Sequence, residues 1–150
     1  MDTSRHGFTL IETVIGLAIV CSLVAVSVWN LKDYQARIEE KESLEWFKNS
    51  FKNEMNYSYL NQKPAYLKIR GDHVTFGRYA VNGKIVLKKK IFPKTLRNTN
   101  GPIDYFIRRS GQSDPKIIIF ESKLTHRKYE YRIQMGWGEI IEKTQRLYPG

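Results

Sequence analysis

Apolar residues run from Phe8 to Leu31 with few interruptions, and Thr13 to Leu31 contains no charged residue. Read as a helix, this stretch is roughly 36 Å long, enough to cross a hydrocarbon core of about 30 Å. From Lys32 onward the chain becomes mixed, charged and rich in aromatics, which sets a boundary between an anchor and a folded domain. Leu44, Phe47, Phe51 and Met55 recur at spacings of three and four. The helix is therefore expected to continue past the boundary with one apolar face suited to a sheet. Its end is expected near Asn61–Pro64, because the residue before a proline is pushed out of helical backbone. Phe8 to Asn61 would make one helix of roughly 80 Å.

Past Pro64 the period changes from helical to alternating. Ala65–Arg70 alternates, and His73–Ala80 and Lys84–Phe92 flank Val81-Asn82-Gly83, where Asn-Gly favours a tight hairpin turn. Asn98–Pro102 reads as a loop, Ile103–Arg108 as a short strand and Gly111–Pro115 as a turn. Lys116–Ser122, containing "KIIIF", is the most apolar strand and is expected at the centre of the sheet. Arg127–Met135 alternates, Gly136-Trp137-Gly138 turns the chain, and Glu139–Lys143 is the last expected strand. The expected class is α+β, a long N-terminal helix packed on an antiparallel β-sheet.

Composition adds two constraints. The single cysteine, Cys21, lies inside the apolar run, so the folded domain has no disulfide and must rely on its packing. Cys21 reads as a small apolar filler, since Val20 is too large for the residue that precedes a lipoprotein cysteine. The formal net charge is +10, and it survives a cut after Gly7 because Asp2 and Arg5 leave together. A basic exported domain can meet DNA, anionic cell-wall polymer or anionic lipid, and sign alone does not choose among them.

Glu12 is the residue that an ordinary anchor does not explain. A secretory signal cleaved after Ala25-Val26-Ser27 would carry an acid in its apolar core, at a cost of about 2.5–3.5 kcal/mol at mid-membrane. A plain single-pass anchor accounts for the length but not for Glu12 or Gly7-Phe8. The stretch Gly7-Phe8-Thr9-Leu10-Ile11-Glu12, followed by an apolar helix, resembles the processing site of type IV prepilins and type II secretion pseudopilins.

That resemblance implies a prepilin peptidase that cuts after Gly7 and methylates the new amine of Phe8. It implies a cytoplasmic leader over residues 1–7, a transmembrane and assembly helix over 8–31, and an extracytoplasmic pilin-like domain over 32–150. Localisation would be the cell membrane, then the cell surface in an assembled pilus. Glu12 is the family's glutamate fifth from the cut. An amine and a carboxylate in apolar surroundings are costly unless paired, so Glu12 of one subunit meeting Phe8 of a neighbour rewards one axial register. The bland alternative is a Glu12 hydrated at the membrane surface. Pilin helices often carry a proline near the position of Trp29; this chain has none, so local helix melting is not expected. The closing stretch "KIIIFESKLTHRKYEYRIQMGWGEI" is similar to the ComGD group, minor pilins of the Gram-positive competence pilus. The implied partners are the major and other minor pilins, with an assembly ATPase and a platform protein acting indirectly.

Other chemistry is sparse. There is no phosphate-cradling glycine-lysine loop, which excludes the motor ATPase itself. His6, His73 and His126 are scattered without metal spacing, no nucleophile–base–acid set stands out, and no cofactor or enzymatic activity is expected. Lys88-Lys89-Lys90 and Arg108-Arg109 lie on expected strands, where Lys88 and Lys90 share a face. They read either as DNA contacts, with Tyr79, Tyr129 or Tyr131 stacking, or as a solvated surface or lysine-guarded edge. Three functions therefore stay open: a minor pilin of a DNA-uptake filament, a pilin-like module that grips DNA, and a secretion pseudopilin.

Overall fold

One stripe of the helix explains most of the fold. In a computed structural model that describes residues 9–80, 82–135 and 139–147, with side chains left out at 27–30, α1 spans Leu10–Asn61. The chain divides into two units, Met1–Gln35 and Ala36–Gly150. In the second unit, Leu44, Phe47, Phe51 and Met55 are buried as their spacing predicts. The same stripe also buries Glu40, Ser43, Ser50, Glu54 and Ser58, which an apolar pattern does not reveal. The helix stops where expected: Gln62 turns into the left-handed region at φ 53°, and the Asn61 amide caps the carbonyl of Tyr57 at 3.0 Å.

Eight strands follow: β1 (Ala65–Ile69), β2 (His73–Tyr79), β3 (Ile85–Ile91), β4 (Leu96–Asn98), β5 (Ile103–Ile107), β6 (Lys116–Ser122), β7 (Arg127–Ile133) and β8 (Ile140–Arg146). They form two antiparallel four-stranded sheets, the first ordered β3-β2-β1-β5 and the second β4-β6-β7-β8. The alternating pattern led to one sheet; the break falls at Phe92–Leu96. Pro93 has no N–H for a ladder, the Leu96 N–H bonds the Pro93 carbonyl at 2.9 Å, and the chain leaves the first sheet there. Phe92 anchors the crossing by stacking on Phe120 of β6 at 5.2 Å. The Lys116–Ser122 strand is an inner strand, as its apolarity suggested.

Phe47 is where the helix and both sheets meet. Its ring lies 6.0 Å from Phe76 of β2, 5.2 Å from Phe120 and 5.4 Å from Tyr131 of β7. Aromatic pairs at such separations add about 0.5–1.5 kcal/mol each beyond burial. Every member of the buried core lies within Ala36–Gly150, so that unit carries its own core.

The hairpin between β2 and β3 follows its sequence closely. Gly83 takes φ 79°, a value that a residue with a side chain resists, and Ala80 N–H bonds Lys84 O at 2.8 Å. Val81 and the Gly136-Trp137-Gly138 turn lie outside the described residues. The last strand runs three residues past Lys143 to Arg146, because backbone pairing with β7 continues although the side chains turn polar.

Candidate functional site

The N-terminal segment of α1 is apolar, and its large side chains face outward. Leu10, Ile11, Val14, Ile15, Leu17, Ile19, Val20, Leu23, Val24 and Val26 are all exposed. Such a surface is stable only in lipid or against other helices. By length and composition α1 is long and apolar enough to cross a membrane.

The first turn begins at Thr9, whose carbonyl accepts the N–H groups of Glu12 at 3.0 Å and Thr13 at 3.3 Å. Glu12 thus stands in the first turn, where the positive end of the helix dipole favours a carboxylate. Thr9 and Glu12 also have the Thr-x-x-Glu spacing of a capping box. Helix geometry therefore gives Glu12 a local reason to sit here, besides any partner in a neighbouring subunit. Gly7 and Phe8 lie outside the described residues.

The basic residues do not gather into one ridge. Lys88 and Lys90 do share a face, but it is the inner one: they stand opposite Phe76 and Val74, both buried. Lys88 Nζ lies 3.6 Å from the Glu54 carboxylate, and Lys90 Nζ lies 5.9 Å from the Trp46 ring centre. The two lysines considered as DNA contacts are thus turned toward the helix side of the sheet and are partly accessible. The physical cause is Glu54, a nearly unexposed carboxylate on α1 that draws in Lys88 and also Arg78, at 3.8 Å. Arg78 in turn covers Tyr57, 4.3 Å from its ring centre. Arg108 is tied to Asp114 at 3.0 Å, and Arg109 is exposed. Of the tyrosines considered for stacking, Tyr131 is buried in the core, Tyr129 packs against it half-buried, and Tyr79 is exposed.

A second carboxylate on the buried stripe, Glu40, accepts a 2.6 Å bond from the Ser122 hydroxyl, which itself accepts the Thr125 N–H at 2.9 Å. Glu40 and Glu54 thus pin the two ends of the stripe to different sheets. Burial pushes the Tyr131 hydroxyl well above its ordinary range, with Glu142 adding to the effect. Tyr105 is raised by burial as well. In β7, a hydrogen bond from Arg132 holds the buried Glu130 below the usual glutamate range. Among the described residues no group of three or more His, Cys, Asp or Glu is placed to hold a metal ion.

Comparison with known proteins bears on both halves of the chain. No curated protein matches it at a significant level. The solved minor pseudopilin EpsH from the Type 2 Secretion System of Vibrio cholerae is similar in fold, with a TM-score of 0.55 at 14% identity. The match covers 70% of this chain and 96% of that one. Residues 2–28 match the model of the prokaryotic N-terminal methylation motif. The chain therefore carries a prokaryotic N-terminal methylation motif ahead of a pilin-like fold.

Proposed function

We propose that this chain is a minor pilin, cut after Gly7, methylated at Phe8 and assembled through its apolar helix into a competence pilus that takes up DNA. The observation that carries the reading is the methylation motif joined to a pseudopilin-like fold. A subunit of this kind is a filament component and not an enzyme. The motif implies a prepilin peptidase and other pilins as partners, membrane anchoring before assembly and a cell-surface position afterwards. Moving the helix from lipid to a filament keeps its apolar side chains in apolar surroundings, so packing and register decide the outcome. Glu12 supplies the register by pairing with the Phe8 amine of a neighbour. The ComGD-like closing stretch supports competence over other filament systems.

The second reading, a secretion pseudopilin, is favoured by the fold match to EpsH. Deleting the gene in its host separates the two. Loss of transformation with normal protein secretion supports the competence pilus, and the reverse result supports a secretion system. Direct DNA binding is the third reading. The inward placement of Lys88 and Lys90 weakens it, leaving Arg109 and an Arg108 already paired with Asp114.

A further inference from the structure

The two sheets have different outer faces. On the second, Arg97, Glu121 and Lys128 stand side by side across β4, β6 and β7, and Glu130 stands opposite Lys143 of β8. Charged residues dominate that face, although Glu130 is buried and Ile117 and Ile141 are exposed on it. On the first sheet, Ile85, Leu87, Ile91, Tyr79 and Phe106 are exposed instead. Tyr66 lies across Gly77, where a Cβ would overlap its ring, and an open groove of about 510 Å³ runs between Tyr66, Phe106, Tyr79 and Ile85. This face, on which Lys68, Asp104 and Lys89 are the charged members, ends at β3, a terminal strand of its sheet.

The backbone of β3 is set up for pairing on its free side. Ala80 N–H bonds Lys84 O at 2.8 Å, and Phe92 N–H bonds Asp72 O at 2.9 Å. These bonds bracket the β2–β3 register, so Lys84, Val86, Lys88, Lys90 and Phe92 direct their backbone groups toward β2. Ile85, Leu87, Lys89 and Ile91 therefore direct theirs outward. The side chains of those same four residues lie on the apolar outer face. An added strand would gain backbone bonds and apolar contacts from the same residues.

Charge selects the occupant. Lys84 and Lys89 are exposed, whereas Lys88 is turned toward Glu54 and Lys90 toward Trp46. A second copy of this chain carries a net charge of +10; its β8 edge sets Lys143 and Arg146 against a single acid, Glu142, and the acid of its β5 edge, Asp104, is already held by Arg70 at 2.8 Å. It would be repelled. We infer that the free edge of β3 docks an extended segment of another protein, apolar at alternate positions and acidic opposite Lys89, added as an antiparallel strand. Read from its N-terminus, that segment places apolar, acidic, apolar and apolar side chains opposite Ile91, Lys89, Leu87 and Ile85. The inference uses the sheet alone and stands apart from the filament assignment.

The test uses the full chain in detergent micelles and a peptide with the core Val-Glu-Glu-Thr-Val-Thr-Ile. Amide exchange followed by NMR should show new protection at Ile85, Leu87, Lys89 and Ile91, with Val86, Lys88 and Lys90 unchanged. Leu87→Pro removes one outward N–H without touching the bonds to β2 and should abolish binding. Lys89→Glu, an exposed change that leaves the fold intact, should weaken the acidic peptide about fivefold and favour its lysine counterpart. No binding, equal binding of a scrambled peptide, or a footprint on Tyr66 and Phe106 without the outward amides would each overturn strand addition. Self-association through β3 without peptide would overturn the acidic partner.

Discussion

Lys88 Nζ stands 3.6 Å from the carboxylate of Glu54, which is 1% exposed on the face of α1 that packs on the sheets. A lysine that the alternating pattern offered to solvent is thus part of the helix–sheet junction. Breaking a fully buried ion pair costs about 3–5 kcal/mol. Lys88 and Arg78 are partly hydrated, so Glu54→Gln should cost less, about 1–2 kcal/mol. Denaturant melts of E54Q, K88M and the double variant should give a coupling of about 1 kcal/mol. Additive effects would mean that Lys88 serves something other than Glu54.

Ser122 does for the other sheet what Lys88 does for the first. Its hydroxyl donates to Glu40 and accepts from the Thr125 N–H, so Ser122→Ala strands a buried carboxylate and a half-buried N–H at once. A loss of about 1–3 kcal/mol is expected in equilibrium unfolding. Glu40→Gln, which keeps an acceptor and the shape, should lose less than S122A.

Alkaline pH should loosen the core through Tyr131. Burial raises its pKa, so the folded chain holds the phenolic proton more tightly than the unfolded chain does. A raised pKa contributes stability that is complete below the unfolded value of about 10 and fades as pH rises beyond it. Melting temperature followed from pH 8 upward should therefore fall above about pH 10. Tyr131→Phe removes the titration and should shift that fall to higher pH. Unchanged alkaline behaviour in Y131F would assign the effect elsewhere, with Tyr105 next in line.

Glu12 tests assembly separately from insertion. Glu12→Val leaves the apolar run intact and should preserve membrane localisation and processing, while reducing co-purification with other pilins. Glu12→Gln distinguishes the pairing role from the local one at the helix start. It keeps a capping side chain but no charge, so it should fail in assembly if pairing with the Phe8 amine is what matters. Normal assembly of E12Q would leave only the role in the first turn.

Much of the architecture was legible because it depends on local rules. Leu44, Phe47, Phe51 and Met55 mark a helical face, Pro64 its end, and Asn82-Gly83 a hairpin that closes through a left-handed Gly83. What was hidden depends on long-range partners. Nothing near Glu40 or Glu54 in sequence announces burial; Ser122, Arg78 and Lys88 make it tolerable from far along the chain. Lys88 and Lys90 were correctly assigned a common face, but the alternation of a strand does not say which face is inner. The second sheet was hidden for a similar reason. β4 is three residues long, and its partner β6 is reached only after the chain has returned to add β5 to the first sheet.

The central claim concerns one covalent bond, Gly7–Phe8, and the most direct measurement is mass spectrometry of the mature N-terminus from the native host. The account predicts a chain that begins at N-methylated Phe8. An intact Met1, or a chain beginning at Val28 after signal cleavage, would contradict it.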